Sequence, residues 1–145
     1  MKKAIIIHGW GFNPKINWYP WLKKELEDKG YKVIVPEMPN TEEPKINEWV
    51  SNLKRIVGKL DSNTYLIGHS IGCQTIMRFL EKTDFNGKIN AVFIAGWFKL
   101  DNLEDKEVEE IAKPWLETKI DFDKVKHKIS KLTVFLSIND PYDCI

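Results

Sequence analysis

The pentapeptide Gly68-His69-Ser70-Ile71-Gly72 constrains this chain more than any other feature. The apolar run Tyr65–Ile67 precedes it, and Ile76, Phe79 and Leu80 follow at helical spacing. A serine between glycines at a strand-to-helix junction is the sequence pattern of a nucleophile elbow. The glycines let the turn pack closely against neighbouring backbone. The helix that follows aims its dipole and first N–H groups at any anion forming beside the serine.

The rest of the chain fits around that junction. Ala4–Ile7, Lys32–Val35, Ala91–Ala95 and Leu132–Ser137 read as four more buried strands. They are rich in Ile and Val and do not alternate cleanly, as expected of a parallel sheet covered on both faces. Helical stripes separate them. One joins Trp18, Trp21, Leu22 and Leu26, with Gly30 as a stop; another joins Trp49, Leu53, Ile56 and Leu60. Asp101 and Glu104 have capping-box spacing ahead of Val108, Ile111 and Trp115, and Phe122, Val125 and Ile129 mark a short last helix. This alternation predicts a three-layer α/β fold. Right-handed crossovers would link a parallel five-stranded sheet of order 2-1-3-4-5. The stretch from Trp97 to Lys119 is the longest connection and predicts a lid or an extra helix.

With 145 residues, the chain has the length of one domain, 1–145. The formal net charge of +1 is well mixed, so no basic block points to nucleic acid. The opening apolar run ends at His8-Gly9, too soon for a signal peptide, and no run approaches a membrane span. Cys73 and Cys144 cannot make a disulfide framework, and no Cys/His cluster has metal-ligand spacing. A reducing, cytoplasmic setting, with no need of a metal staple, is the expectation. Cys73 reads as a small buried helix residue.

Two further motifs belong to the same rim as Ser70. His8-Gly9-Trp10-Gly11 ends the first strand, and in a sheet of this order it would face the serine at the switch point. A backbone N–H there, from Trp10 or alternatively Gly11, would join that of Ile71 as an oxyanion hole. Asn139-Asp140-Pro141-Tyr142 follows the fifth strand. Asp140, or less favourably Asp143, is the acid that would orient a histidine. Trp97, Phe98 and Trp115 could line an acyl pocket or fill the core.

Taken together, the chain resembles the small serine hydrolases named after a retinoblastoma-binding protein. The likeness rests on His8-Gly9-Trp10, Trp18-Tyr19-Pro20-Trp21-Leu22, Pro36-Glu37-Met38-Pro39, Gly68–Gly72 and Asn139–Tyr142. It implies an α/β-hydrolase fold, no cofactor, and a Ser-His-Asp triad acting on a small acyl substrate, an ester or amide. The family's Leu-x-Cys-x-Glu element has no counterpart at Cys73 or Cys144, so no partner of that kind is carried over.

In that family the catalytic histidine follows the aspartate after one more strand, whereas this sequence ends five residues after Asp140. The three histidines present offer poor substitutes. His127 belongs to the opposite rim, His69 should point away from the serine beside it, and His8 should shape the oxyanion loop. The expectation is a shortened hydrolase, weak or inactive alone, with Ser70 and Asp140 in place. Its fifth strand would be an exposed edge open to pairing in a homodimer. The competing expectation is a non-catalytic binding protein that keeps the fold. A nucleotide-binding reading fails, because no glycine-rich phosphate loop follows the first strand.

Overall fold

A computed structural model describes residues 1–96 and 105–141. Five strands form one parallel sheet: β1 (Lys3–Ile7), β2 (Lys32–Ile34), β3 (Thr64–His69), β4 (Ile89–Ile94) and β5 (Ile129–Phe135). Their order is β2-β1-β3-β4-β5, as the sequence predicts. The helices between them are α1 (Tyr19–Asp28), α2 (Ile46–Val57), α3 (Ile71–Lys82), α4 (Lys106–Glu117) and α5 (Phe122–Lys126). The β1–β3 register pairs Ile7 with Gly68, and the β3–β4 register pairs His69 with Ile94. These pairings bring the carboxyl ends of the central strands to one rim.

Strand geometry sends alternate residues to opposite faces. On one face Ile5, Ile7, Leu66, Ala91 and Phe93 meet the apolar sides of α2 and α3. Trp49, Leu53, Ile76 and Leu80 are completely buried there. Trp115 of α4 completes this layer, edge-on to Trp49 at 6.1 Å, with its Nε1 donating to the Pro44 carbonyl at 2.9 Å. It is a core residue. Buried Arg78 ties α4 down, donating through Nη2 to the carbonyls of Trp115 and Thr118 at 2.8 Å each. A cation at the carboxyl end of a helix satisfies carbonyls that the helix leaves unpaired.

The other face carries Ala4, Ile6, Val33 and Ile67 under α1, with Tyr19 as its buried anchor. Beyond α1 lies an apolar groove of about 570 Å³. Trp21 and Leu22 of α1 form one wall, and Val92, Ile94 and Phe135 form its floor and far side.

Several boundaries depart from the sequence reading. Ile129 belongs to β5, pairing with Ile89, and does not extend the last helix. α5 stops at Lys126, with His127 as its C-cap. A β-branched residue that finds a ladder partner gains more from the sheet than from one more turn of a five-residue helix. The cap of α4 is Asp105, whose Oδ1 accepts the Glu107 N–H at 2.9 Å. The predicted box at Asp101 and Glu104 therefore does not start this helix, and those two residues lie outside the described ones. Leu60 is buried but lies beyond α2, which Gly58 ends at a φ of 59°. Trp21 does not join the buried stripe of α1; it is 63% exposed at the groove.

Candidate active site

The rim site is built by close backbone packing. Ser70 joins β3 to α3 with φ 54° and ψ −121°, a conformation that costs a non-glycine residue about 1–3 kcal/mol. Its N–H donates to the Ile94 carbonyl at 3.0 Å, and its carbonyl accepts the Cys73 N–H at 3.1 Å. Glycine at the flanking positions is a steric requirement. A Cβ on Gly72 would stand 2.3 Å from the Ile7 carbonyl oxygen, and one on Gly68 would stand 2.7 Å from the Cys73 nitrogen. Ile71, buried, begins α3 and presents its first N–H at the positive end of the helix.

The loop after β1 lies against this turn. A Cβ on Gly9 would come within 3.3 Å of the Ser70 Cβ. The Gly9 carbonyl accepts from His8 Nδ1 at 2.8 Å and from the Phe12 N–H at 3.2 Å. His8 Nε2 accepts the Met38 N–H at 3.0 Å. With both ring nitrogens answering to backbone, His8 is neutral and carries its proton on Nδ1. Burial lowers its pKa, against weaker opposing effects of the Gly9 carbonyl and Glu37. The Gly11 N–H is committed to the Thr41 carbonyl at 3.0 Å. The Trp10 indole donates to the Glu42 carbonyl at 2.9 Å, anchoring the outer part of the loop.

His69 turns its ring to the α1 face. It stacks on Phe12 at 5.4 Å, meets Trp18 edge-on at 5.4 Å, and shares a 2.6 Å contact between Nδ1 and the Tyr19 hydroxyl. Burial, then the field of His8, pushes its pKa down to about 4, while Asp140 pulls it upward. Asp140 thus lies within electrostatic reach of the junction, in the turn where its N–H donates to the Ser137 carbonyl at 3.3 Å. The predicted residues Ser70, Ile71, Trp10 and Asp140 therefore share one rim.

His127 sits at the other end of the sheet, its Nδ1 2.7 Å from the Asp123 carbonyl. Cys73 is fully buried. Asp143, Cys144, Trp97 and Phe98 lie outside the described residues. Sequence reasoning did not single out Tyr19, Phe12 or the Met38 N–H as parts of the site. Tyr19 stood in an aromatic run that reads as core, and periodicity carries no signal for what a buried hydroxyl bonds.

The sheet order and the strand–serine–helix junction define a protein of the α/β-hydrolase class. The chain belongs to the serine hydrolase family, whose sequence profile matches residues 4–144. It is 35% identical over 97 residues to the YdeN protein of Bacillus subtilis, a match covering 67% of this chain and 51% of that protein. It is 25% identical over 145 residues to serine hydrolase RBBP9 of Rattus norvegicus, covering 97% of this chain and 73% of the relative. The crystal structure of the B. subtilis ydeN product superposes with a TM-score of 0.88 at 28% identity, covering 98% of this chain and 74% of that one. A monoacylglycerol lipase structure from Paleococcus ferrophilus shares the fold, with a TM-score of 0.59 at 20% identity over 77% of this chain and 45% of that one. The matched region thus spans about half of YdeN's length in the sequence comparison and about three quarters of it in the structural one.

Proposed function

We propose that this chain attacks small esters or amides through Ser70, with the Trp10 and Ile71 N–H groups as oxyanion donors and Asp140 as the orienting acid. The observation that carries this reading is the left-handed Ser70 at the strand-to-helix junction, with Gly9 packed against its Cβ. That arrangement is what a nucleophile elbow of an acyl-transfer enzyme requires, and it supports this reading. The commitment of the Gly11 N–H to the Thr41 carbonyl weighs against Gly11 as the loop donor.

The reaction also needs a proton acceptor. A serine hydroxyl needs an adjacent base to be a good nucleophile. His8 spends both nitrogens on backbone, His127 occupies the opposite rim, and His69 faces α1. With the three histidines placed this way, oxyanion stabilisation and binding are the sources of acceleration that the described residues offer, on the order of 10³–10⁴-fold. The same observation favours the second reading, a binding protein that keeps the fold. Short-chain p-nitrophenyl esters separate the two. The enzyme reading expects an acyl-enzyme burst that Ser70→Ala removes. A hydrolysis rate identical in the two proteins would leave the binding reading.

A further inference from the structure

Tyr19 is completely buried, and its hydroxyl has two hydrogen-bonding neighbours. It accepts the Gly9 N–H at 3.0 Å and lies 2.6 Å from His69 Nδ1. A phenol has one proton to give. With Gly9 acting as a donor, that proton has His69 Nδ1 as its acceptor. Donation of that proton to His69 makes the chain of bonds directional, running from Gly9 N–H to the Tyr19 oxygen and from Tyr19 O–H to His69 Nδ1, and it satisfies the buried hydroxyl proton. It requires a neutral His69 with its proton on Nε2, the opposite tautomer to His8.

The consequence concerns the Gly9–Trp10 peptide. Its carbonyl is held by His8 and Phe12. In a trans peptide the Trp10 N–H points opposite to that carbonyl, so fixing one fixes the other. Tyr19 holds Gly9 from its amide side, which pins the residue at both ends. The second bond of Tyr19 lands on the residue beside Ser70. One hydroxyl thus bridges the two backbone segments whose spacing sets the distance from serine to oxyanion donor.

We propose that Tyr19 and His69 form a positioning pair that locks the loop after β1 onto the Ser70 turn through a directional hydroxyl bridge. This rests on the reading of Ser70 as nucleophile and the Trp10 N–H as oxyanion donor. Neither side chain touches the reacting atoms. Each acts through the backbone it holds.

The test uses the full chain and a fluorophosphonate probe, together with nitrogen NMR of the imidazoles. Tyr19→Phe keeps the ring packing and removes the bridge. Its maximal labelling rate should fall on the order of tenfold, because small misplacements of reacting groups cost that much or more, while the probe's half-saturating concentration stays within about twofold. His69→Asn supplies an oxygen near the Nδ1 position and should restore most of the rate that His69→Leu loses. Wild-type His69 should show the neutral Nε2–H form at pH 7. The groups facing it are Tyr19 from α1, His8 at the end of β1 and Asp140 after β5. In Tyr19→Phe its titration should move up from about 4, since the lost donor favoured the neutral ring. An unchanged labelling rate in Tyr19→Phe, or an Nδ1–H tautomer in the wild type, would overturn the proposal. A wild-type chain that takes no label refutes instead the nucleophile reading, and the NMR arm then decides the bridge by itself.

Discussion

The two faces of the sheet are built differently. Under α2, α3 and α4 the layer is closed, and Trp49, Trp115 and Leu53 are at most 1% exposed. Under α1 the other face has, among the described residues, this one helix. It covers β1 and β2 and leaves the groove open over β3, β4 and β5. Parallel sheets ordinarily bury both faces. Here the closed face supplies the rigid platform from which Ser70 and α3 project. The open face holds the aromatic contacts to His69 and an apolar margin ending at β5. Phe135 is 56% exposed on the groove side, while Leu132 and Val134 are exposed on the other side of the same edge.

That contrast can be broken by substitution, and the largest effects belong where the faces meet at the rim. Gly72→Ala should prevent native folding, because the added Cβ meets the Ile7 carbonyl, backbone that cannot rotate away. Loss of the cooperative urea transition is the expected readout. Trp49→Ala, on the closed face, should cost about 3–5 kcal/mol by urea titration. Trp21→Ala, at the open groove, should stay within about 0.5 kcal/mol. Equal losses at the two tryptophans would show that the open face is as well packed as the closed one.

Acid gives a smaller and graded effect. His8 and His69 both have folded pKa values below 6.5, His69 at about 4. Between those values the unfolded chain binds more protons than the native one, so stability should fall as pH drops from about 6.5 to 4. Above 6.5 these two groups contribute no slope. His69→Asn should flatten part of the acid decline. The smallest effect concerns association. The expected pairing of β5 with a second copy is open to test at its apolar margin. Val134→Lys should lower any self-association seen by sedimentation at micromolar concentration while leaving stability within about 0.5 kcal/mol. A wild-type chain that sediments as a monomer there would remove that expectation.

The sheet order was legible because Ile- and Val-rich runs alternate with helical stripes, a pattern few folds satisfy. Ser70 was legible for a related reason: its motif sits on a junction that both neighbours predict. The edges of elements were not. Ile129 suits a helix face by spacing, and only its ladder partner Ile89 decides for the strand. Asp101 and Asp105 are equivalent as cap residues in sequence, and in the structure Asp105 caps α4. The bridge through Tyr19 was the least legible, because a hydrogen bond across 50 positions leaves no local pattern. His8 lies between these cases. Its role in shaping the loop followed from its place beside Gly9, but its tautomer depends on Met38, 30 residues away.

Covalent labelling reads directly whether Ser70 is a nucleophile. The full chain, treated with a fluorophosphonate and mapped by peptide mass spectrometry, should carry the adduct on Ser70 alone, slowly at pH 7 and faster as pH rises. Ser70→Ala should carry none. A wild-type chain that stays unlabelled at raised pH, or labels equally well as Ser70→Ala, would contradict the account.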